Sequence, residues 1–125
     1  MESWGDFEFN EPYIGEEIRK IYDVELPENY IEFMKKYNGG RGEIIGEYWL
    51  ELFSMEELQG LNDDYELQEF LPDHIIIGSN GGGEFYGIDK EGNYFNVPCI
   101  MDENDITLLG KDILMLPDKI NEMWA

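Results

Sequence analysis

Three short apolar runs, separated by two glycine-bearing turns, form the clearest pattern in the chain, between Pro72 and Pro98. The first run holds three consecutive isoleucines at 75–77, whose β-branched side chains favour a buried strand. The second and third runs, 85–88 and 94–97, are rich in aromatic and β-branched residues. The glycines between them suit tight turns, and we expect Gly82 or Gly83, and also Gly92, at positive φ. The pattern predicts an antiparallel meander.

Two amphipathic helices are predicted ahead of this meander. The first covers residues 12–23, on the helical spacing of Ile14, Ile18, Ile21 and Tyr22. The second begins at Leu26-Pro27 and ends at the Asn-Gly-Gly of residues 38–40, which tolerates a left-handed C-terminal cap. Its buried stripe is predicted to consist of Tyr30, Phe33, Met34 and Tyr37.

The remaining segments are predicted to pack around these elements. Ser54 and Glu57 form a capping box that opens a short helix, and residues 60–71 are predicted as a loop or short helix. Residues 117–124 are predicted as a C-terminal helix with its apolar side chains, including Trp124, facing inward. Residues 1–12 are expected to form an arm docked on the body through Trp4, Phe7 and Phe9. The whole chain, 1–125, is then a single α+β domain, with the N-terminal helices and the C-terminal helix packed against the antiparallel meander.

Net charge narrows the range of partners. The chain has 29 acidic and 8 basic residues among 125, a formal net charge of −21. Residues 42–89 contain no Lys or Arg. Such a surface repels nucleic acid and anionic membranes and attracts basic partners, so we expect no nucleic-acid and no membrane partner. The alternative is that the acidity serves solubility alone.

The residues that usually carry chemistry are scarce. His74 and Cys99 are the single histidine and the single cysteine, so neither a catalytic triad nor a zinc site is predicted. His74 is expected to have a structural role and Cys99 to be a small buried hydrophobe. The glycines at 81–83 join two predicted strands and match no phosphate-binding motif. We therefore expect no catalytic residue, no metal site and no cofactor. The lone cysteine and the absence of a signal-peptide pattern fit a cytoplasmic location.

A partner-binding site is predicted on the strand segment 43–53. Alternation places Tyr48, Leu50 and Leu52 on one face, and the opposite face carries Glu47, Trp49 and Glu51. An aromatic side chain bordered by carboxylates suits a basic protein partner. The alternative is that the N-terminal arm or a helix covers the indole. The glycine-rich turn, with Asn80 and Glu84, is the second candidate for partner contacts.

Two sets of motifs carry a family resemblance. The first is Leu26-Pro27-x-x-Tyr30-x-x-Phe33 followed by Asn38-Gly39-Gly40. The second is a proline, an apolar strand, Gly78, the glycine-rich turn, an aromatic strand ending in Asp89, and a hairpin Gly92. In this order, over roughly residues 14–124, they resemble the signature of the SUKH superfamily. That superfamily holds the fungal Smi/Knr regulators of cell-wall synthesis and many bacterial immunity proteins.

The resemblance implies an α+β fold and a non-enzymatic, cytoplasmic protein that binds and neutralises a cognate toxin of a polymorphic or contact-dependent toxin system. The acidic surface adds the expectation of a basic toxin domain, such as a nuclease. The alternative that the resemblance leaves open is a regulatory scaffold of the Smi/Knr kind, binding signalling or cell-wall-synthesis proteins. A small-ligand sensor is a third alternative.

Overall fold

The fold was obtained as a computed structural model, which describes residues 2–125. Within these residues the chain forms nine strands and four α-helices. In chain order they are β1 (Glu8–Phe9), β2 (Lys20–Ile21), β3 (Val24–Glu25), α1 (Glu28–Tyr37), β4 (Gly40–Ile44), β5 (Tyr48–Leu52), α2 (Met55–Asp64), α3 (Leu67–Phe70), β6 (His74–Ser79), β7 (Glu84–Asp89), β8 (Tyr94–Pro98), β9 (Thr107–Leu108) and α4 (Leu116–Trp124).

Seven of the strands form one antiparallel sheet in the order β1-β4-β5-β6-β7-β8-β9. The predicted meander is its centre, β6-β7-β8, and the three isoleucines of β6 are fully buried. Gly83 and Gly92 occupy positive φ, at 99° and 83°, as the turn chemistry requires. The α+β architecture, with a C-terminal helix packed on the sheet, is therefore confirmed.

Two side-chain contacts on neighbouring residues of β7 show which helices cover each face of the sheet. Phe85 packs against the Tyr65 ring, between α2 and α3, with centroids 4.8 Å apart. The next residue, Tyr86, accepts a hydrogen bond from the Trp124 indole of α4, at 3.3 Å. Because successive strand residues point to opposite faces, α2 and α3 lie on the Phe85 face and α4 lies on the Tyr86 face. Helix α1 lies on the Tyr86 face as well, because its Asn29 accepts a hydrogen bond from the hydroxyl of Tyr94, which points to that face.

Asn38 ends α1 and joins it to α2. It adopts the left-handed conformation at φ 49°, and its backbone N–H donates to the Met34 carbonyl. Its buried side chain also accepts a hydrogen bond from the Met55 backbone N–H, at 2.8 Å. The predicted capping box then starts α2, because the Glu57 carboxylate accepts from the Ser54 backbone N–H at 3.1 Å.

The predicted helix over residues 12–23 is wrong. This segment is irregular up to the small β2-β3 hairpin, in which Leu26 N–H bonds to the Arg19 carbonyl at 2.8 Å. Ile14, expected on a buried helical face, is 95% exposed. The isoleucines of this segment are β-branched and favour extended backbone, and Gly15 interrupts the run, so the helical spacing did not correspond to a helix.

The N-terminal residues are part of the sheet and of the core. β1 pairs with β4, and Trp4 is buried with its ring stacked on Phe33, at 5.1 Å between centroids. At the other terminus, Trp124 was expected to face inward but is 39% exposed, although its indole N–H donates to the Tyr86 hydroxyl on the sheet.

The prediction that Cys99 is buried is also wrong, since it is exposed. It follows the last residue of β8, and its backbone N–H bonds to the Gly83 carbonyl at the end of the sheet, outside the core. Partial burial nevertheless raises the pKa of the Cys99 thiol, and the charge of Glu84 raises it further.

A fully buried asparagine, Asn62 of α2, binds the backbone of β6 where β5 no longer pairs with it. Its side-chain amide donates to the Ile76 carbonyl at 2.9 Å, and its Oδ1 accepts from the Ile76 N–H at 2.7 Å. The same amide donates to the Leu58 carbonyl at 2.9 Å. β5 pairs with β6 only at Ser79 and Gly78, so without Asn62 the Ile76 backbone groups would be buried and unpaired.

We therefore expect Asn62→Leu, which is similar in size, to lower the free energy of unfolding by about 2–4 kcal/mol, through two backbone groups left without partners. Chemical denaturation followed by circular dichroism measures this change. The matched control is the exposed Asp64→Ala on the same helix, expected to stay within about 0.5 kcal/mol of the wild type. An Asn62→Leu protein as stable as the wild type would contradict the role of this side chain.

Candidate protein-interaction surface

One half of the Phe85 face of the sheet is left open. Over β6 and β7 this face is covered by the segment α2-α3, because both helices contact β6 and Tyr65 between them packs on Phe85. Glu51 of β5 lies on the same face, because it pairs with Ser79, which in turn pairs with Phe85. Toward β1, β4 and β5 the side chains on this face are exposed or half-buried. We name this open half the acidic sheet face; it consists of Asp6, Glu8, Arg41, Glu43, Trp49 and Glu51.

Two rows of cross-strand neighbours build the acidic sheet face. In the first row, Arg41 of β4 lies between Glu8 of β1 and Glu51 of β5. In the second row, Glu43 of β4 lies opposite Trp49 of β5. Asp6 extends the second row, since its backbone N–H bonds to the Glu43 carbonyl at 2.8 Å. Side chains directly opposite one another on a face lie close together, so β1, β4, β5 and the residue Asp6 ahead of β1 bring four carboxylates around one indole and one guanidinium.

Trp49 is the large apolar side chain of this face, and 44% of its surface is exposed. On one side it borders the glycine-rich turn, where a Cβ placed on Gly81 would lie 3.4 Å from the indole Cδ1. Neither the N-terminal segment nor a helix covers it fully, although both were considered from the sequence. An exposed indole among carboxylates fits the predicted aromatic contact for a partner.

Two shallow cavities open on the acidic sheet face. The first has a volume of about 270 Å³ and is lined by Asp6, Glu8, Arg41, Gly42, Glu43 and Trp49. The second, of about 240 Å³, is lined by Asn10, Gly40, Arg41, Glu51, Leu52 and Glu57. Each is large enough for one long side chain of a partner, and Arg41 lines both.

The five residues predicted for partner binding do not form one cluster. Trp49 and Glu51 lie on the acidic sheet face, and Glu47 lies exposed in the β4-β5 turn at φ 63°. Asn80 holds the glycine-rich turn, its Oδ1 accepting from the backbone N–H groups of Gly82 and Glu84 at 2.7 and 3.1 Å. Glu84 precedes Phe85 and so lies on the opposite face.

Sequence reasoning missed four residues of this face: Asp6, Glu8, Arg41 and Glu43. They belong to the N-terminal segment and to β4, and only the strand register places them beside Trp49. The alternation of glycine with Arg41 and Glu43 in β4 was the available signal, because it marks one polar and one side-chain-free face.

The chemistry-bearing residues elsewhere are bound into the structure. The His74 Nδ1 lies 2.8 Å from the Pro72 carbonyl oxygen, and its ring meets Phe95 edge-on at 5.1 Å.

Over residues 2–125 no group of three or more His, Cys, Asp or Glu side chains is arranged to hold a metal ion. In the same part of the chain, no helix has the length and apolar character needed to cross a membrane.

Comparison with known families adds a direct finding. The model of the SMI1 / KNR4 family (SUKH-1) matches residues 15–114, which is most of the chain. The chain belongs to the SUKH-1 family. This SUKH-1 protein is therefore of the immunity-protein and Smi/Knr-type class, which is generally non-catalytic. No curated protein matches the chain.

The carboxylates around Trp49 should create a local negative potential that small ions report. In a Trp124→Phe background, where the buried Trp4 is shielded, we expect Cs⁺ to quench the fluorescence of Trp49 more than I⁻ does, relative to free N-acetyltryptophanamide. Glu43→Lys, directly opposite Trp49, should reduce this preference for the cation. Glu103→Lys, a distant exposed site, is the control and should leave it unchanged; equal effects of the two substitutions would argue against a local field.

Proposed function

We propose that this SUKH-1 protein is a cytoplasmic immunity protein that binds and neutralises a cognate toxin of a bacterial polymorphic or contact-dependent toxin system. The observation that carries the proposal is the half-exposed indole of Trp49 within the acidic sheet face. Family membership supports the class of the protein, and the acidic sheet face supports the kind of partner. A basic toxin domain, such as a nuclease, is the partner that this face fits best.

The geometry suits a form of inhibition in which this protein occupies the nucleic-acid-binding surface of a toxin. A nuclease carries Lys and Arg side chains where it contacts phosphates. The carboxylates of the acidic sheet face can accept hydrogen bonds from those side chains, and so occupy the positions that phosphates would take. Trp49 adds a large contact area at the centre, where aromatic residues contribute most to binding energy. The net charge of −21 accelerates the encounter with a basic protein.

A regulatory scaffold of the Smi/Knr type is the second candidate function. It is favoured by the family model itself, which is that of SMI1 and KNR4. Such a scaffold would use the same acidic sheet face to hold a signalling or cell-wall-synthesis protein. The two functions differ in the partner, because a scaffold has no toxin to neutralise.

The deciding experiment expresses the domains encoded beside this gene, each alone and together with this protein. Under the immunity function the toxin domain alone stops growth and co-expression restores it. Failure of co-expression to restore growth, or the lack of any growth-inhibiting neighbour, would favour the scaffold. The same toxin domain, inactivated in its catalytic residue, serves for the binding measurements below.

Trp49→Ala is expected to weaken binding by about 2 kcal/mol or more, mainly through faster dissociation, because the lost contact lies in the interface core. Surface plasmon resonance with the inactivated toxin domain measures the two rates. Trp124→Ala is the matched control, since Trp124 is also a partly exposed tryptophan but lies in α4. An unchanged dissociation rate for Trp49→Ala would place the interface elsewhere, with Asn80 and Glu84 as the next residues to substitute.

Reversing Glu47 and Glu51 to Lys together is expected to slow association far more than it changes dissociation, as charges at the rim of an interface do. The wild-type association rate should itself fall as salt rises beyond 0.1 M, where the Debye length is about 10 Å. Glu103→Lys with Asp105→Lys gives the same change in net charge at a distant site and serves as the control. A salt-independent association rate would mean that the acidity serves solubility alone.

A further inference from the structure

Arg41 is the one basic side chain of the acidic sheet face. It is exposed, and its cross-strand neighbours are both acidic: Glu8 on β1 and Glu51 on β5. It is also the last basic residue before Lys90 in the chain. A guanidinium at the centre of this face is unexpected if the face serves only to attract positive charge, because it weakens the negative potential where a partner would dock.

The guanidinium of Arg41 is not engaged with its acidic neighbours. Across residues 2–125 the ion pairs within 4.0 Å are formed by other bases, such as Arg19 and Lys35, which both contact Glu17. Arg41 lines both shallow cavities of the face. Its donors are therefore available to a group that enters either cavity.

Electrostatic complementarity defines what that group must be. A partner with Lys and Arg at every position would place a like charge against Arg41, which opposes binding. A carboxylate there would instead receive the two parallel hydrogen bonds that the planar guanidinium is shaped to donate. The surrounding Asp6, Glu8, Glu43 and Glu51 call for basic side chains around that carboxylate.

We infer that Arg41 determines partner specificity, by binding an Asp or Glu of the partner that lies within a ring of basic side chains. The inference rests on the proposed function, since it uses the same face and the same basic partner. It adds that the partner is recognised by an alternating pattern of charge, and that a uniformly basic surface binds less tightly.

The opposite explanation is that Arg41 only relieves repulsion between Glu8 and Glu51. The two explanations predict different dissociation rates when the positive charge is removed. If Arg41 only relieves repulsion, Arg41→Gln makes the face more acidic, so a basic toxin domain associates faster and dissociates no faster. If Arg41 binds a carboxylate, the same substitution makes dissociation faster, whatever happens to association.

The test measures both rate constants for the inactivated toxin domain with wild type, Arg41→Gln, Arg41→Lys and Lys20→Gln. We expect dissociation about tenfold faster or more for Arg41→Gln, with association unchanged or faster. Arg41→Lys keeps the charge but loses the paired donors, so its dissociation rate should lie between the rates of the wild type and of Arg41→Gln. Lys20→Gln removes one positive charge from the exposed β2 position and should leave dissociation unchanged. Thermal unfolding of each variant shows that the fold is retained.

A second arm identifies the carboxylate. Each Asp and Glu on the toxin domain surface is replaced by its amide, and each variant is combined with wild type and with Arg41→Gln. Replacing one particular toxin carboxylate should weaken binding to the wild-type protein but not to Arg41→Gln. Dissociation of Arg41→Gln as slow as that of wild type, or no carboxylate coupled to Arg41, would overturn the inference while the proposed function stands. No binding by the wild type would overturn both.

Discussion

The pairing of β5 with β6 is the constraint on which the arrangement of the whole sheet depends. Only Glu51 with Ser79 and Leu52 with Gly78 are paired across this junction. A side chain at Gly78 could not be accommodated, since its Cβ would lie 2.2 Å from the Glu51 carbonyl oxygen. Beyond the paired residues, the Phe53 N–H bonds to the Ile77 carbonyl, and the Asn62 side chain bonds to the backbone N–H and carbonyl of Ile76. A short junction, completed by a helix, thus joins the two halves of the sheet in a fixed register.

That register separates a covered half of the sheet from an open half. On β7 and β8 this face carries the buried side chains of Phe85, Phe95 and Val97, and the segment α2-α3 packs against the same half of the sheet at β6 and at Phe85. Where β1, β4 and β5 carry Glu8, Arg41 and Glu51, a covering helix would bury charges at a large cost. The polarity of alternate strand residues therefore decides how far the helices extend, and it leaves the side of the sheet that holds Trp49 exposed.

The sequence allowed the local parts of this fold to be predicted but not the parts that depend on long-range register. The isoleucine strand, the positive-φ glycines and the Ser54 capping box follow from local chemistry, and all were confirmed. The helix over residues 12–23 was wrong because spacing alone cannot show that Ile14 lacks anything to pack against. Trp49 and Glu51 were predicted on one face from alternation within β5, whereas Arg41 and Glu8 join them only through pairing between segments far apart in the chain.

The two edges of the sheet are β1 and β9, and each is a strand of only two residues. So short an edge offers few free backbone groups, and an incoming strand needs several to form a ladder. A protein that approaches this chain therefore gains little by extending the sheet sideways, and copies of the chain gain equally little from each other. Side-chain contacts on the open face of the sheet are then the more effective means of recognition, and there a single substitution can change the choice of partner without altering the fold.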